Sequence, residues 1–131
     1  MFIIKPIIEK SAQEHLCTLC EVPYLPYAMA YQAELEGELA AICQFELQNN
    51  SGYIHHLVTK PGISDHEMMI IMGRTVMNFI DLCEKHTCYA SEASANKNLL
   101  CALGFKLQEN GEYIAHMEGM FSGCSSKHEP K

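Results

Sequence analysis

The chain has 131 residues, 48% hydrophobic and 19% charged, with a formal net charge of -7 and seven cysteines, a composition suited to one buried core in one domain. A single arginine, Arg74, in so acidic a chain argues against the broad phosphate-binding surface that nucleic acid requires. No run of about 18 apolar residues is present for a bilayer crossing, and MFIIKPIIEK lacks the pattern of a signal peptide, so no membrane association and a cytoplasmic home are expected.

In chain order, Phe2 to Ile8 is apolar and β-branched, with Pro6 confining it to a sheet edge. A helix capped at Ser11 is expected to run through Cys20, where Pro23 and Pro26 stop it. Tyr27, Met29, Tyr31 and Ala33 alternate with Ala28, Ala30, Gln32 and Glu34, and Leu39 to Leu47 alternates likewise beyond the polar tip Glu36-Gly37-Glu38, so the two runs pair as a hairpin. Asn49-Asn50-Ser51-Gly52 turns the chain into a strand, Tyr53 to Thr59, which carries the adjacent pair His55 and His56 on successive faces.

After a turn at Pro61-Gly62, Ser64-Asp65-His66-Glu67 has the form of a capping box. It opens a long helix in which Met69, Met72, Val76, Phe79, Ile80 and Cys83 share one face. Thr87 to Glu92 is a short strand that can return parallel beside Tyr53 to Thr59, because a helical crossover separates them. A helix from Ala95 to Leu103 ends at Gly104, and Phe105 to Gln108 then pairs through the Asn110-Gly111 turn with Tyr113 to Met117. Residues 1–118 therefore read as one domain and 119–131 as a loosely held tail.

These elements predict an α+β fold (α/β in the wider sense): a mixed, mostly antiparallel central sheet with helices on both faces, in the order β-α-β-β-β-α-β-α-β-β. The order resembles that of the GCN5-related N-acetyltransferases (GNAT). Local text agrees: Ile42-Cys43-Gln44-Phe45 ends the hairpin, HHLVTKP at 55–61 stands where the family has a strand closing in V-x-P, and Leu103-Gly104-Phe105 stands where it has L-G-F. The resemblance spans residue 1 to about 118. It implies an acyltransferase that moves an acetyl group from acetyl-CoA to an amine of a small molecule or peptide; the assembly expected, if the chain associates, is a homodimer. His55 would be the base, Leu57, Val58 and Thr59 would offer backbone hydrogen bonds to the cosubstrate, and Gly73 and Arg74 would lie near its pyrophosphate.

The chain departs from the family at two points. With Gly73 set as the last glycine of the Q/R-x-x-G-x-G/A loop, Met68 and Ile71 occupy the other defining positions; aligned on the capping box instead, Asp65 and Glu67 crowd the helix start with negative charge. Leu100 stands where the family commonly has a tyrosine that protonates the departing thiolate, a role then left to Cys101 or another segment. The alternative is a non-catalytic binding or interaction module on the same fold.

Other features have plainer readings. Cys17-Thr18-Leu19-Cys20, and Cys83, His86 and Cys88, show zinc-like spacings that no second pair completes, so core packing and no metal are expected. An odd cysteine count, with Cys17, Cys43, Cys83 and Cys101 in apolar periodic segments, reads as reduced thiols. Glu34, Glu36, Glu38 and Glu46 give the hairpin an acidic edge, either a solvated device against edge pairing or a surface that attracts a cationic amine.

Overall fold

The structure, a computed structural model, describes residues 1–120. The described elements are β1 (Phe2–Pro6), α1 (Lys10–Cys20), β2 (Met29–Leu35), β3 (Glu38–Leu47), β4 (Gly52–Thr59), α2 (His66–Leu82), β5 (Thr87–Ala90), α3 (Lys97–Ala102), β6 (Lys106–Leu107) and β7 (Tyr113–His116). They build a seven-stranded sheet in the order β1-β2-β3-β4-β5-β7-β6. Every pairing is antiparallel except β4 with β5, which α2 joins as a crossover. The expected class and element order are thus found. The tail expected at 119–131 lies outside the described residues apart from Gly119 and Met120.

Helices cover both faces. α2 and α3 lie on one side, where Met68, Met72, Val76, Met77, Ile80 and Leu100 pack on Cys43, Phe45, Ile54, Leu57 and Cys88. On the other side α1 presents Leu16, Cys17 and Cys20 to Ala30 and Ile42. Each fully buried Leu, Ile or Met contributes roughly 1.5–3 kcal/mol, so the larger cluster under α2 carries most of the stability. The Cys17 and Cys20 thiols, pushed up to about 11 mainly by burial, behave as small apolar groups rather than ligands or nucleophiles. None of the helices in the described residues is long and apolar enough to cross a membrane.

Three helix starts differ from the sequence reading. α1 begins at Lys10 with Glu9 at its N-cap and no side-chain cap, because Gln13 N–H already reaches the Glu9 carbonyl; Ser11 is inside the helix. α2 is capped by Asp65, whose Oδ1 accepts from Met68 N–H at 3.0 Å, so the box built on Ser64 does not form. α3 starts only at Lys97, capped by Asn96, because Ser94 just before it is drawn into the sheet.

Candidate functional site

Strand β4 is irregular in two places, and both lie beside the histidine pair. Cys43 pairs with Leu57 and Phe45 with Ile54, so one residue of β3 is matched by two of β4 and the strand bulges at His55. The cause is legible in the packing, since Ile54 and Leu57 both belong to the α2-side core although they are three residues apart. The extra residue corrects the expectation of successive faces. His55 meets Glu46 and His56 meets Gln44, two β3 positions of the same parity, so both imidazoles project to the α1 side.

The two histidines have different partners. His55 Nε2 lies 2.8 Å from Glu46 Oε1, and its ring sits between Tyr53 (centroids 4.9 Å) and Tyr27 (6.0 Å, edge-on). A carboxylate only accepts, so Nε2 carries the proton and Nδ1 of the neutral ring keeps its lone pair. His56 Nδ1 lies 2.8 Å from Gln44 Nε2. Gln44 Oε1 accepts from Leu25 N–H and from Gln13, which fixes its amide as the donor toward Pro23 O and His56. His56 is therefore an acceptor at Nδ1, and burial followed by the neighbouring His55 pushes its pKa down. It serves a fully satisfied polar network that docks the segment 23–28 on the sheet.

The second irregularity is a gap. β4 and β5 pair only through Gly52↔Cys88, Tyr53↔Tyr89 and Ile54↔Ala90, and then part. Lys60 N–H returns to Ala40 O on β3, so beyond the bulge the backbones of His56 and Val58 face β3 while those of Leu57 and Thr59 face the gap. Beyond the gap opens a cleft of about 320 Å³, walled by Leu57, Val58 and Thr59, the Ile63–His66 turn, Met69 and the start of α3 at Asn96 and Leu99. Leu57, Val58 and Thr59 are thus gathered with the N-terminus of α2, whose first N–H groups lack intrahelical acceptors. Those donors suit an anion, yet Asp65 lines the same cleft and already occupies Met68 N–H.

Ser94, which the sequence did not single out, fills the inner end of the gap. It is fully buried; its hydroxyl donates to Ile54 O at 2.7 Å and its carbonyl accepts from Leu57 N–H at 2.7 Å. One residue thereby substitutes for the next rung of β5. Locally it only closes a turn with Ser91, and its sheet partners are about 40 residues away, where no local pattern announces them.

The remaining candidates are elsewhere. Gly73 does not line the cleft: it lies under α3, where a Cβ would stand 2.6 Å from Leu103 Cδ1 and 3.2 Å from Leu57 Cδ2, so its lack of a side chain serves helix packing. Arg74 is exposed on the outer surface of α2 among Ile71, Thr75 and Asn78. Leu100 is fully buried in the core and Cys101 is exposed.

The arrangement defines a class: the fold is that of the N-acetyltransferases. The chain superposes with a TM-score of 0.68 on the crystal structure of the ribosomal-protein-S18-alanine N-acetyltransferase from Escherichia coli, at 12% identity over 89% of this chain and 94% of that one. PaiA N-acetyltransferase from Thermoplasma acidophilum, solved with coenzyme A, gives 0.67 at 10% identity over 87% and 96%. N-acetylglutamate synthase from Neisseria gonorrhoeae, solved with coenzyme A and N-acetyl-glutamate, gives 0.70 at 13% identity, covering 89% of this chain and 35% of the enzyme. No family model and no curated protein matches the sequence.

Proposed function

We propose that the protein is an N-acetyltransferase that binds acetyl-CoA in the cleft between β4, α2 and α3 and transfers the acetyl group to an amine at the α1-side mouth of the gap. The observation that carries the reading is the parting of β4 from β5 directly beside His55 and its Glu46 partner. Transfer breaks the thioester C–S bond and forms a C–N bond, and the amine must lose a proton. His55 Nδ1 takes it, Glu46, holding Nε2–H, stabilises the imidazolium that results, and the CoA sulfur leaves as the thiolate and takes its proton from solvent. Leu57 and Thr59 supply backbone partners along the gap, and the free amides of α2 face the diphosphate. Gly73 supports the wall by letting α3 approach, and Arg74 is left outside the site.

Isothermal calorimetry with acetyl-CoA, followed by chromatographic detection of free CoA in the presence of an amine panel, tests the reading. Saturable binding and amine-dependent CoA release are expected, with release reduced about a hundredfold or more in His55→Gln while binding persists. Absence of binding at millimolar acetyl-CoA rejects the proposal.

A second reading, a binding module on the same fold, draws on one observation: Ser94 O already holds the Leu57 amide, a β4 donor that an acyl oxygen would use. Tight binding of acetyl-CoA with no release for any amine selects it.

A further inference from the structure

The sheet face opposite α2 carries a row of side chains that the two cores do not use. Phe45, Ile54, Cys88, Ala90, Tyr113 and Phe105 belong to the α2-side core, so by strand alternation their neighbours Glu46, Tyr53, Tyr89, Ile114 and Lys106 project to the other face. Strand register aligns them: Glu46 pairs with Tyr53, Tyr53 with Tyr89, Tyr89 with Ile114, and Ile114 with Lys106. Tyr53, Tyr89 and Ile114 are half-buried but join neither hydrophobic cluster, and α1 lies further along this face, over Ala30, Ile42 and Val58.

The row starts where the chemistry is proposed. Tyr53↔Tyr89 is the rung just before the last one, Ile54↔Ala90, after which the strands part. A ligand lying on these two rings has one end at Glu46 and His55. Glu46 uses Oε1 for His55, and Oε2 remains for a cation. From Glu46 to Lys106 is on the order of 19 Å at four strand spacings, and the three intervening side chains carry no charge. The next charge in the row is positive; Glu112 lies outside the row, two residues before Ile114 and beside Gln108, within reach of Asn110. A polyamine would lay its second and third cations on uncharged side chains and then meet Lys106. A single ammonium on an aromatic body matches each part in turn: the head on Glu46, flanked by tyrosine rings, and the body on Tyr53, Tyr89 and Ile114.

We propose that this open face is the acceptor subsite and that it takes a primary amine carried on one aromatic or apolar body, an arylalkylamine, in preference to a polyamine. Its role as acceptor subsite rests on the N-acetyltransferase reading; its role in binding does not. Calorimetry of the full chain with 2-phenylethylamine and with spermidine, each with and without saturating CoA, reads the binding directly. The expected result is 2-phenylethylamine about tenfold tighter than spermidine, weakened about tenfold by Tyr89→Ala and retained in Tyr89→Phe. Should Tyr89→Ala not fold, Ile114→Ser probes the same row and is expected to weaken 2-phenylethylamine selectively. Spermidine binding as tightly as 2-phenylethylamine, neither amine binding in either condition, or affinity unmoved by variants that fold overturns the proposal. Selective 2-phenylethylamine binding without any acetyl transfer keeps the subsite and rejects the transferase; efficient transfer to spermidine in preference to 2-phenylethylamine does the reverse.

Discussion

At the scale of single residues, two adjacent histidines of one strand are given opposite tasks by what they touch. His55 donates its Nε2–H to a carboxylate and keeps a free lone pair, whereas His56 has its Nδ1 lone pair used by Gln44 in a buried network. Protonating His56 at Nδ1 would set one donor against another. The pKa of His56 is pushed down in the folded protein, by burial first and His55 second, so the unfolded chain takes up the proton more readily. Its contribution is therefore fully present above the unfolded value of about 6.5 and is lost as pH falls from there through the lower folded value. The melting temperature is expected to drop on acidification through this window. In His56→Asn, whose Oδ1 can accept from Gln44 without titrating, the slope should shrink; a slope identical to that of the parent would show that His56 is not its source. The sequence displayed both histidines but not the division of labour. A signal for the bulge was present, since Ile54 and Leu57 are apolar, three apart, and cannot share a face in a regular strand.

At the scale of elements, the long helix shows what local pattern can and cannot fix. Its existence and buried face follow from the recurrence of Met69, Met72, Val76 and Ile80, and the structure buries all four. Its first residue does not follow, because Ser64 and Asp65 are adjacent residues that both cap well, and only the tertiary position of the turn selects Asp65. Ser64→Ala should leave stability nearly unchanged, while Asp65→Ala should cost about 1 kcal/mol, measured as a difference in denaturant midpoint. The cap also bears on ligand binding. Asp65 and Glu67 set two negative charges at the helix end that an anionic cosubstrate would approach. Asp65→Asn with Glu67→Gln keeps an acceptor at the cap and removes both charges. Acetyl-CoA is therefore expected to bind the double variant more tightly, by about fivefold or more at low ionic strength, and the gain should fade as salt is added. Weaker binding in a folded double variant would mean that the carboxylates hold the turn in its binding shape.

At the scale of the whole molecule, the sheet is two antiparallel blocks, β1 to β4 and β5 to β7, joined at a parallel seam of three residue pairs. Helix α2 packs on strands of both blocks, from β1 to β5, and Ser94 closes the upper end of the seam with one side-chain and one backbone hydrogen bond. The hairpins β2-β3-β4 and β6-β7 were legible because each joins neighbours in sequence; the pairing of β5 with β7 and the closure at Ser94 were not, because both join segments that meet only once the sheet is assembled. Opening this seam is the simplest route to exposing the Leu57 amide, so the proposed transfer and the stability of the whole sheet meet at one residue. Ser94→Ala leaves the Ile54 carbonyl without its buried donor and should destabilise the protein by roughly 1–3 kcal/mol. The loss should be concentrated at the seam. In native-state hydrogen exchange the Leu57 amide, now held by the Ser94 carbonyl, is expected to exchange at least about tenfold faster in the variant, with amides in the middle of α1 changing less. If the turn at 91–94 must retract for an acyl group to reach Leu57, acetyl-CoA should restore the protection of Leu57 in the variant, and should bind it no more weakly than the parent, since less must be displaced. Leu57 exchange identical in parent and variant would show that backbone packing alone, rather than the serine hydroxyl, holds the seam closed.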